Sequence, residues 1–393
     1  MNIQATIGNC NFLVYFLFFS ILYRFHGINE YELKLYEKIG IALIFILSII
    51  IMTRGAFISI FLSFLYIFSD FLRKNNRKKL IFAIFIVFLL FFIVNYKDFT
   101  KIKGDIRYLT NRVGIEMVKK HPFIGIGAGN TRVKYLNYQA NFLKDHYKDR
   151  EYIILANNAK HLHNEYLQML AESGPISLII YILFLLYSYK VLKKNIFLLS
   201  SFIFIHIAFL FSFLLYSPVT AMLILLPLLG MDDRKYSIDT KIVVIPFFIL
   251  FSWCFYSFLS EMRADYYLKL SKKNPDNKIS ILEKAKEYRM LFPGKEDFLI
   301  GIKYFNEKKY EKAALYFLNS SEKISDYALY YDIGICFEKS RDKKGAGEFL
   351  ERAFWMDPKR KEAYSAIEKI NKNNNINGFY RIKNAYDSIW LKK

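Results

Sequence analysis

The sequence contains few cysteines, and their placement suggests neither a disulfide nor a metal site. Only three occur in 393 residues. Cys10 and Cys254 lie in or beside long apolar runs, and Cys336 lies in an amphipathic, helix-like segment. The paired spacings of disulfide frameworks and of Cys/His metal sites are missing. The sequence therefore predicts a chain without a disulfide framework and without a bound metal.

Acidic residues are also scarce, with 35 Asp and Glu against 56 Lys and Arg, which gives a formal charge of +21. In a soluble protein this excess would suggest nucleic acid as a partner. Here much of the positive charge lies in short segments between apolar runs, at residues 73–79 and at Lys190–Lys194. Short loops rich in Lys and Arg are typical of the cytoplasmic side of membrane proteins. We therefore expect a membrane partner and no nucleic acid.

Apolar residues make up 54% of the chain and are grouped in long runs rather than spread periodically. The runs are Phe12–Tyr23, Ile39–Met52, Ala56–Phe71, Leu80–Val94, Ile176–Tyr189, Ile196–Tyr216, Val219–Met231 and Ile242–Leu259. Several approach the roughly 20 residues that a membrane-crossing helix needs. The first and the seventh run are shorter. For each of them, a tilted helix, a re-entrant helix and a helix extended by flanking polar residues are the alternatives. The sequence predicts an all-α, polytopic transmembrane bundle.

The two basic loops give one consistent topology. With residues 73–79 and Lys190–Lys194 on the inside, Lys97–Pro175 becomes a long extracytoplasmic loop, and Ile242–Leu259 carries the C-terminal region outward. The same parity places Met1 outside, although no signal peptide precedes it. We therefore expect that the chain is N-terminally short and lacks helices that would come before it.

The loop Lys97–Pro175 is longer than ordinary connections, and loops of this size are usually functional. Its cations are Arg107, Arg112, Lys119, Lys120, Arg132 and Lys134. Guanidinium groups match phosphate oxygens in two-point hydrogen bonds, so this composition suits a phosphorylated ligand. Attraction to anionic lipid headgroups is the alternative, and for any single lysine it is the favoured one.

From Met262 the apolar runs give way to amphipathic helical segments that repeat. Gly301 and Gly334 are 334 − 301 = 33 residues apart. Aligned on these glycines, the aromatic and small residues resemble a tetratricopeptide repeat, which implies a helical repeat domain over residues 262–372. A docking surface for a protein partner and a stabilising cap are both open as its role. Residues 373–393 form a terminal tail, in which Phe379–Trp390 is predicted as a short helix.

Two motifs in the outer loop carry a further resemblance. They are "NRVGIEMVKKHPFIGIGAGN" (Asn111–Asn130) and "HNEYLQMLAESGPIS" (His163–Ser177). The residues that match are Arg112, His121-Pro122, Gly125, Gly127, Gly129, His163-Asn164 and Gly174. This combination resembles the O-antigen ligase and O-antigen polymerase family of polytopic glycosyltransferases. Ser177 is a mild departure, because the family often has Gly, Thr or Tyr there.

Two earlier stretches extend the resemblance over nearly Thr6 to Gly230. "MTRGAF" (Met52–Phe57) is similar to a Ser-Arg-Gly element at the outer end of a helix, with Thr53 in place of Ser. "TIGNCNFLVYFL" (Thr6–Leu17) is similar to a Gly-Asn-Pro-Asn helix start, with Cys10 in place of Pro. The family domain is thereby expected at residues 1–261, with residues 97–175 as its catalytic loop.

The resemblance implies transfer of a glycan from a polyprenyl-diphosphate carrier to an acceptor hydroxyl, on the outer face of a bacterial inner membrane and without a cofactor. Ligase, polymerase and protein O-oligosaccharyltransferase activities all fit, so the acceptor is a lipid, a glycan or a protein. Such transfer needs cations for the departing diphosphate and a base for the acceptor. The resemblance assigns the first role to Arg54 and Arg112 and the second to His163.

Each assignment has a structural alternative. Arg54 lies among apolar residues, where a charged side chain costs about 2.5–3.5 kcal/mol at mid-membrane, so a snorkelling role at a helix end is open. Arg112 is also consistent with a solvated helix face, and His163 with an interfacial histidine bonded to the backbone. His161 lies two residues from His163 and serves as the control.

Five further residues are expected to contact the substrate. They are Arg107, Arg132, Asn164, Gly127 and Gly129. Asn164 also suits a helix cap or a partner that fixes the histidine tautomer. The glycines lack the strand and the Lys-Ser/Thr of a nucleotide-binding loop, so we expect them to allow a sharp backbone turn near the site.

Two other classes of function stay open. A membrane transporter for a small anion is one, although its polar groups would be expected at mid-membrane rather than in an outer loop. A non-catalytic envelope scaffold that recruits proteins through its repeat tail is the other. Loss of glycan transfer in Arg54, Arg112 and His163 variants, but not in His161 variants, would favour the enzyme.

Overall fold

The computed structural model describes residues 58–63, 66, 105–211, 240–288, 293–374 and 379–390. Within these ranges the regular structure is helical, and no strand occurs in them. This confirms the all-α prediction. Of the predicted apolar runs, Phe12–Tyr23, Ile39–Met52, Leu80–Val94, Val219–Met231 and most of Ala56–Phe71 lie outside the described residues. The polytopic bundle therefore stays a prediction.

The described helices fall into two compact units. The first unit comprises Met1–Ala128 and His161–Asp233, and the second comprises Gly129–Lys160 and Arg234–Lys393. Helices of the first unit are α1 (Ile106–Lys120), α4 (Glu165–Leu192) and α5 (Ile196–Ala208). Helices of the second are α2 (Thr131–Asp145), α3 (Arg150–Leu155), α6 (Thr240–Lys273), α7 (Lys278–Tyr288), α8 (Lys295–Asn306), α9 (Tyr310–Ser321), α10 (Tyr327–Lys339), α11 (Lys343–Met356), α12 (Lys361–Asn374) and α13 (Phe379–Trp390).

Short polar side chains start the helices of the first unit. Asp105 accepts a hydrogen bond from the backbone N–H of Arg107 at the start of α1, and Asn195 accepts from two backbone N–H groups at the start of α5. Such caps satisfy donors that have no partner inside the helix. At its other end α1 stops before His121-Pro122, since proline disfavours a helical residue before it.

One described helix, α4, is both long and apolar enough to cross a bilayer. It contains the predicted run Ile176–Tyr189. The run Ile196–Tyr216 begins where α5 begins, but α5 ends at Ala208 after 13 residues, about 20 Å. Apolar composition does not show this end, near which the Phe209 carbonyl accepts the backbone N–H of Glu165.

Helix pairs of the second unit pack alike at a spacing of 33 residues. A Cβ on Gly301 would lie 2.5 Å from the Phe317 ring, and a Cβ on Gly334 would lie 2.6 Å from the Leu350 side chain. In both pairs glycine therefore allows the two helices to approach closely. The repeated helix pairs agree with the aligned glycines, whereas the tetratricopeptide assignment itself stays a prediction. The predicted terminal helix is present as α13.

Helices α2 and α3 come from the predicted outer loop, yet they belong to the second unit, where α2 packs on α11 of the repeats and α3 packs on the terminal helix α13. The buried Gln139 of α2 donates from Nε2 to the Met356 carbonyl over 2.8 Å. The Val133 carbonyl accepts the backbone N–H of Ser325 over 3.0 Å. The long loop is thus divided between the two units. The predicted domain boundaries, 1–261, 262–372 and 373–393, stay a prediction.

Candidate functional site

The first unit brings the start of α1 against the segment that precedes α4. The Thr110 hydroxyl lies 3.5 Å from the Leu162 carbonyl, and a Cβ on Gly114 would lie 2.7 Å from the Leu162 side chain. Helical periodicity places Arg107, Asn111 and Gly114 on this same face of α1. The face therefore carries one cation and one amide toward the segment that contains His163.

His163 stands in the turn before α4 rather than on the helix itself. Its backbone φ is 57°, a left-handed conformation that few non-glycine residues adopt. The ring is half-buried, and burial lowers its pKa below the ordinary value of 6.5. The nearby positive charge of Arg107 lowers the pKa further, while Asp105 raises it. The imidazole is thus held neutral at neutral pH, the state in which it can accept a proton.

Asn164 caps α4, and a polar stripe follows it on the buried side. The Asn164 side-chain oxygen accepts the backbone N–H of Leu167 over 3.1 Å. Three buried polar residues then occur at helical spacing, Glu165, Gln168 and Glu172. Gln168 accepts from the Leu162 backbone over 3.1 Å and donates to Glu172 over 3.1 Å. These bonds fix the segment just before His163, so Asn164 has a structural role in addition to the predicted contact with substrate.

The Gly-x-Gly-x-Gly turn forms backbone hydrogen bonds to α4 at a point where this helix is interrupted. At Gly174, φ is 71° and ψ is −173°, and Pro175 follows, so the helix is interrupted there. The interruption leaves carbonyls of the preceding turn without their helical donors. The backbone N–H of Ile126 donates to the Ala171 carbonyl over 2.8 Å, and that of Gly127 donates to the Glu172 carbonyl over 2.9 Å. The backbone N–H of Gly127 therefore has a protein partner.

Space at the same contact requires glycine on both sides. A Cβ on Gly125 would lie 2.5 Å from the backbone of Glu172, and a Cβ on Gly174 would lie 2.1 Å from the Phe123 carbonyl oxygen. Both glycines also have positive φ. The turn and the broken helix thus meet backbone to backbone. The sequence predicted a sharp turn at the glycines that precede α2, but not this contact with α4.

The two arginines proposed to neutralise the diphosphate are placed differently. Arg54 lies outside the described residues. Arg112 is exposed, and its guanidinium lies 5.6 Å from the centre of the Tyr108 ring. At 3.6 residues per turn, Arg112 points roughly 160° away from Thr110 and Gly114, which face Leu162. Arg107, rather than Arg112, is the cation on the side of α1 that faces His163.

Two other predicted substrate contacts belong to the second unit. Gly129 is exposed with φ of 73°, and nothing lies within 4 Å of its would-be Cβ. Arg132 is an exposed residue in the first turn of α2. Arg107, Asn164 and Gly127 lie in the first unit instead.

An apolar cavity of about 450 Å³ lies between α4 and α5 in the first unit. Its walls include Tyr166, Tyr189, Leu199, Phe202 and Leu210. Tyr166 is three residues from His163, and its hydroxyl donates to the backbone carbonyl of His206 over 2.8 Å. Side chains of both helices thus line the cavity, and Tyr166 is the lining residue nearest to His163 in sequence.

Sequence patterns missed one candidate, Asn111. Its side-chain oxygen is buried and has no hydrogen-bond partner within the part of the chain that the structure describes. A buried acceptor without a partner is costly unless a ligand or water supplies a donor. Asn111 lies in the quoted motif, but the resemblance assigned a role to the neighbouring Arg112 and none to Asn111. The same described ranges hold no group of three or more His, Cys, Asp or Glu residues that could bind a metal.

Comparison with known proteins gives one family. A family model described as O-Antigen ligase matches residues 39–182. The match includes α1, the turn of glycines, His163 and the first part of α4. Among curated proteins, none matches the chain.

Proposed function

We propose, on the premise that residues 39–182 belong to the O-antigen ligase family, that the protein transfers a glycan from a polyprenyl-diphosphate carrier to an acceptor hydroxyl. The family supports glycan transfer of the O-antigen ligase or polymerase type at the bacterial inner membrane. The observation that carries the finer proposal is the half-buried imidazole of His163 with Arg107 beside it. A neutral base and a fixed cation are the two groups that this transfer requires.

In the proposed step, the acceptor oxygen attacks the anomeric carbon of the donor glycan. The new carbon–oxygen bond forms as the bond from that carbon to the diphosphate oxygen breaks. The electron pair leaves with the diphosphate, and the acceptor proton passes to the imidazole of His163. Arg107 stabilises the charge that grows on the diphosphate, because a fixed cation in a site of low water content interacts strongly with such charge.

The other predicted residues complete this proposal. Arg54 and Arg112 are proposed as further diphosphate ligands, and Arg132 and Gly129 as contacts to the glycan. Asn111 adds a group that composition alone did not suggest, since its partnerless oxygen suits a sugar hydroxyl donor. Metal-independent catalysis also stays part of the proposal.

The proposed binding region for the carrier lipid is the cavity between α4 and α5. The lining is apolar, and Tyr166 places one end of the cavity close in sequence to His163. An isoprenoid chain in this cavity would extend along the apolar helices while its diphosphate stayed near the imidazole. The cavity supports a lipid-linked donor over a water-soluble one.

Topology and partners belong to the same proposal. We place the outer loop and the C-terminal unit on the extracytoplasmic side of a multi-pass protein. A protein partner on the helical repeats stays a proposal as well. The packing of α2 on these repeats, and of α3 on the terminal helix α13, favours a second role, in which the C-terminal unit holds part of the outer loop.

The proposal is tested with the full chain in liposomes that contain a glycan linked to polyprenyl diphosphate. The assay follows release of polyprenyl diphosphate and transfer of the glycan to lipid, glycan or protein acceptors offered separately. His163→Ala is expected to reduce release by at least about 100-fold, the range of general base catalysis. His161→Ala, two residues away, is the matched control and is expected to keep the parent rate.

Equal rates in the two histidine variants would remove His163 from the mechanism. Anion flux across the same liposomes without release of diphosphate would establish the transporter alternative instead. Neither flux nor release, with normal membrane insertion, would favour the scaffold.

A further inference from the structure

The turn between α1 and the glycines exposes two large apolar side chains. Phe123 is 77% exposed and Ile124 is 82% exposed, the two highest exposures among the large hydrophobic residues of the described ranges. Isolated exposed apolar residues are common on protein surfaces, but two adjacent ones at a turn tip form a protruding patch. We call Phe123 and Ile124 the apolar tip.

The apolar tip is held against the point where α4 becomes apolar. The Phe123 carbonyl oxygen would lie 2.1 Å from a Cβ on Gly174, and the Ile124 nitrogen would lie 3.2 Å from it. The exposed apolar stripe of α4 begins two residues later, with Ile176 at 66% exposure, and continues at helical spacing through Ile180, Leu183 and Tyr187. The tip therefore continues the surface of this stripe.

The length of the apolar part of α4 fixes where this surface meets a bilayer. Residues 175–189, which precede the basic segment Lys190–Lys194, span about 22 Å at 1.5 Å per residue, less than the roughly 30 Å of a hydrocarbon core. Lys193 and Lys194 follow at the other end, where charged residues reach the headgroups. Because the apolar part of α4 is no longer than the hydrocarbon core is thick, Ile176 must lie at the outer edge of the core. The apolar tip beside it lies at the same depth.

The charges next to the tip fit the same location. Lys119 and Lys120 form the exposed last turn of α1, and His121 is exposed between them and the tip. Cations immediately above an inserted apolar group are typical of segments that lie at the headgroup boundary of anionic membranes.

We propose that Phe123 and Ile124 insert into the outer leaflet of the bilayer, so that the lipid surface is the partner of the apolar tip. Through its backbone contact with Gly174 and the bonds of the adjacent glycine turn to α4, the tip fixes the depth of the segment that carries His163. The proposal requires the membrane location of the family, but it does not depend on glycan transfer.

Tryptophan fluorescence tests the proposal in the full chain. Phe123→Trp and Leu183→Trp variants are placed in liposomes of phosphatidylglycerol and phosphatidylcholine whose acyl chains carry bromine at a shallow or a deep carbon. Emission is compared with that of the parent, which has three tryptophans. The added emission of Phe123→Trp is expected to fall most with shallow bromine, and that of Leu183→Trp most with deep bromine.

Absence of bromolipid quenching in Phe123→Trp would overturn the proposal, whether water or protein covers the residue. An Ile124→Trp variant repeats the measurement at the neighbouring position, which guards against local misfolding in one variant. Because the readout is lipid contact, a failed glycan transfer assay leaves this result unaffected, and a failed quenching assay leaves glycan transfer untouched.

Discussion

The segment around His163 and the helical repeats of the second unit differ in where backbone φ is positive. Near His163, backbone φ is positive at the histidine, at Gly125, at Gly127 and at Gly174. In the repeats, Lys308 and Arg341 also have positive φ, but they lie in the short turns between paired helices. Asp326 and Asp342 cap α10 and α11, and the core contains apolar residues such as Phe317. Strained backbone and buried polar side chains persist at functional sites because the surroundings enforce them, whereas regular packing indicates a scaffold.

Electrostatics follow the same division. The first unit places a neutral histidine next to an arginine, with buried Gln168 and Glu172 bonded to each other nearby. The second unit instead neutralises one of its buried carboxylates, since Asp297 pairs with Lys286 over 2.6 Å and with Lys323 over 3.0 Å. A paired buried carboxylate is a structural element, while an imidazole of lowered pKa is poised for proton transfer.

The largest expected effect comes from breaking the contact between the glycine turn and α4. Gly174→Ala places a Cβ 2.1 Å from the Phe123 carbonyl oxygen, at a φ and ψ that only glycine adopts readily. We expect a loss of more than about 3 kcal/mol in stability and loss of transfer. Membrane-inserted yield and diphosphate release measure both.

Gly129→Ala is the matched control for this change. Its φ of 73° is nearly the same, but nothing lies within 4 Å of the would-be Cβ. Only backbone strain of about 1–2 kcal/mol is expected. If the two variants behaved alike, the close approach at Gly174 would not be what matters.

The next largest effect concerns the packing of α2, a helix of the predicted outer loop, on the helical repeats. Gln139→Ala removes the donor to the buried Met356 carbonyl and the acceptor of the part-buried Asn157 backbone N–H. We expect about 2–4 kcal/mol of destabilisation, seen as faster hydrogen exchange in α2.

Lys144→Ala breaks only a solvent-accessible pair with Glu351 and should cost at most about 1 kcal/mol. Unchanged exchange in Gln139→Ala would show that α2 does not depend on this contact.

A smaller effect is expected for the pH dependence of the repeats. Burial and the neighbouring Asp326 raise the pKa of Asp332 to about 6, above the roughly 3.9 of an unfolded carboxyl. Between these values the folded chain holds more protons, so this residue makes stability fall as pH rises from about 4 to 6. Asp332→Asn should therefore be more stable than the parent at pH 7, by about 1–2 kcal/mol after allowance for partial exposure.

Thermal unfolding of parent and variant at several pH values measures this difference. The two curves should converge below about pH 3, where the parent carboxyl is protonated in both states. A difference that stayed constant across the range would show that Asp332 is not responsible.

Local patterns predicted much of the helical structure. The apolar part of α4 and the terminal helix α13 both depend on nearby residues. Sequence also predicted sharp turns at the glycines and singled out His163. Capping, periodicity and proline act over a few residues, so a single sequence shows them.

Tertiary contacts could not be predicted in this way. The division of the outer loop depends on contacts such as that of Gln139 with Met356, 217 residues apart. The motif drew attention to Arg112, but the side of α1 that meets Leu162 carries Arg107 and Asn111. The partner of a charged helix determines which face of that helix packs inward. A local sequence pattern does not show where the partner lies.

The pH dependence of kcat/KM for glycan transfer tests most directly whether His163 is a base beside Arg107. On the proposed account the rate falls on the acid side as the imidazole is protonated. Arg107→Gln removes the cation that lowers the histidine pKa, so its acid limb should move to higher pH, whereas Asp105→Asn should move it to lower pH. An acid limb at the same pH in all three proteins would contradict the account.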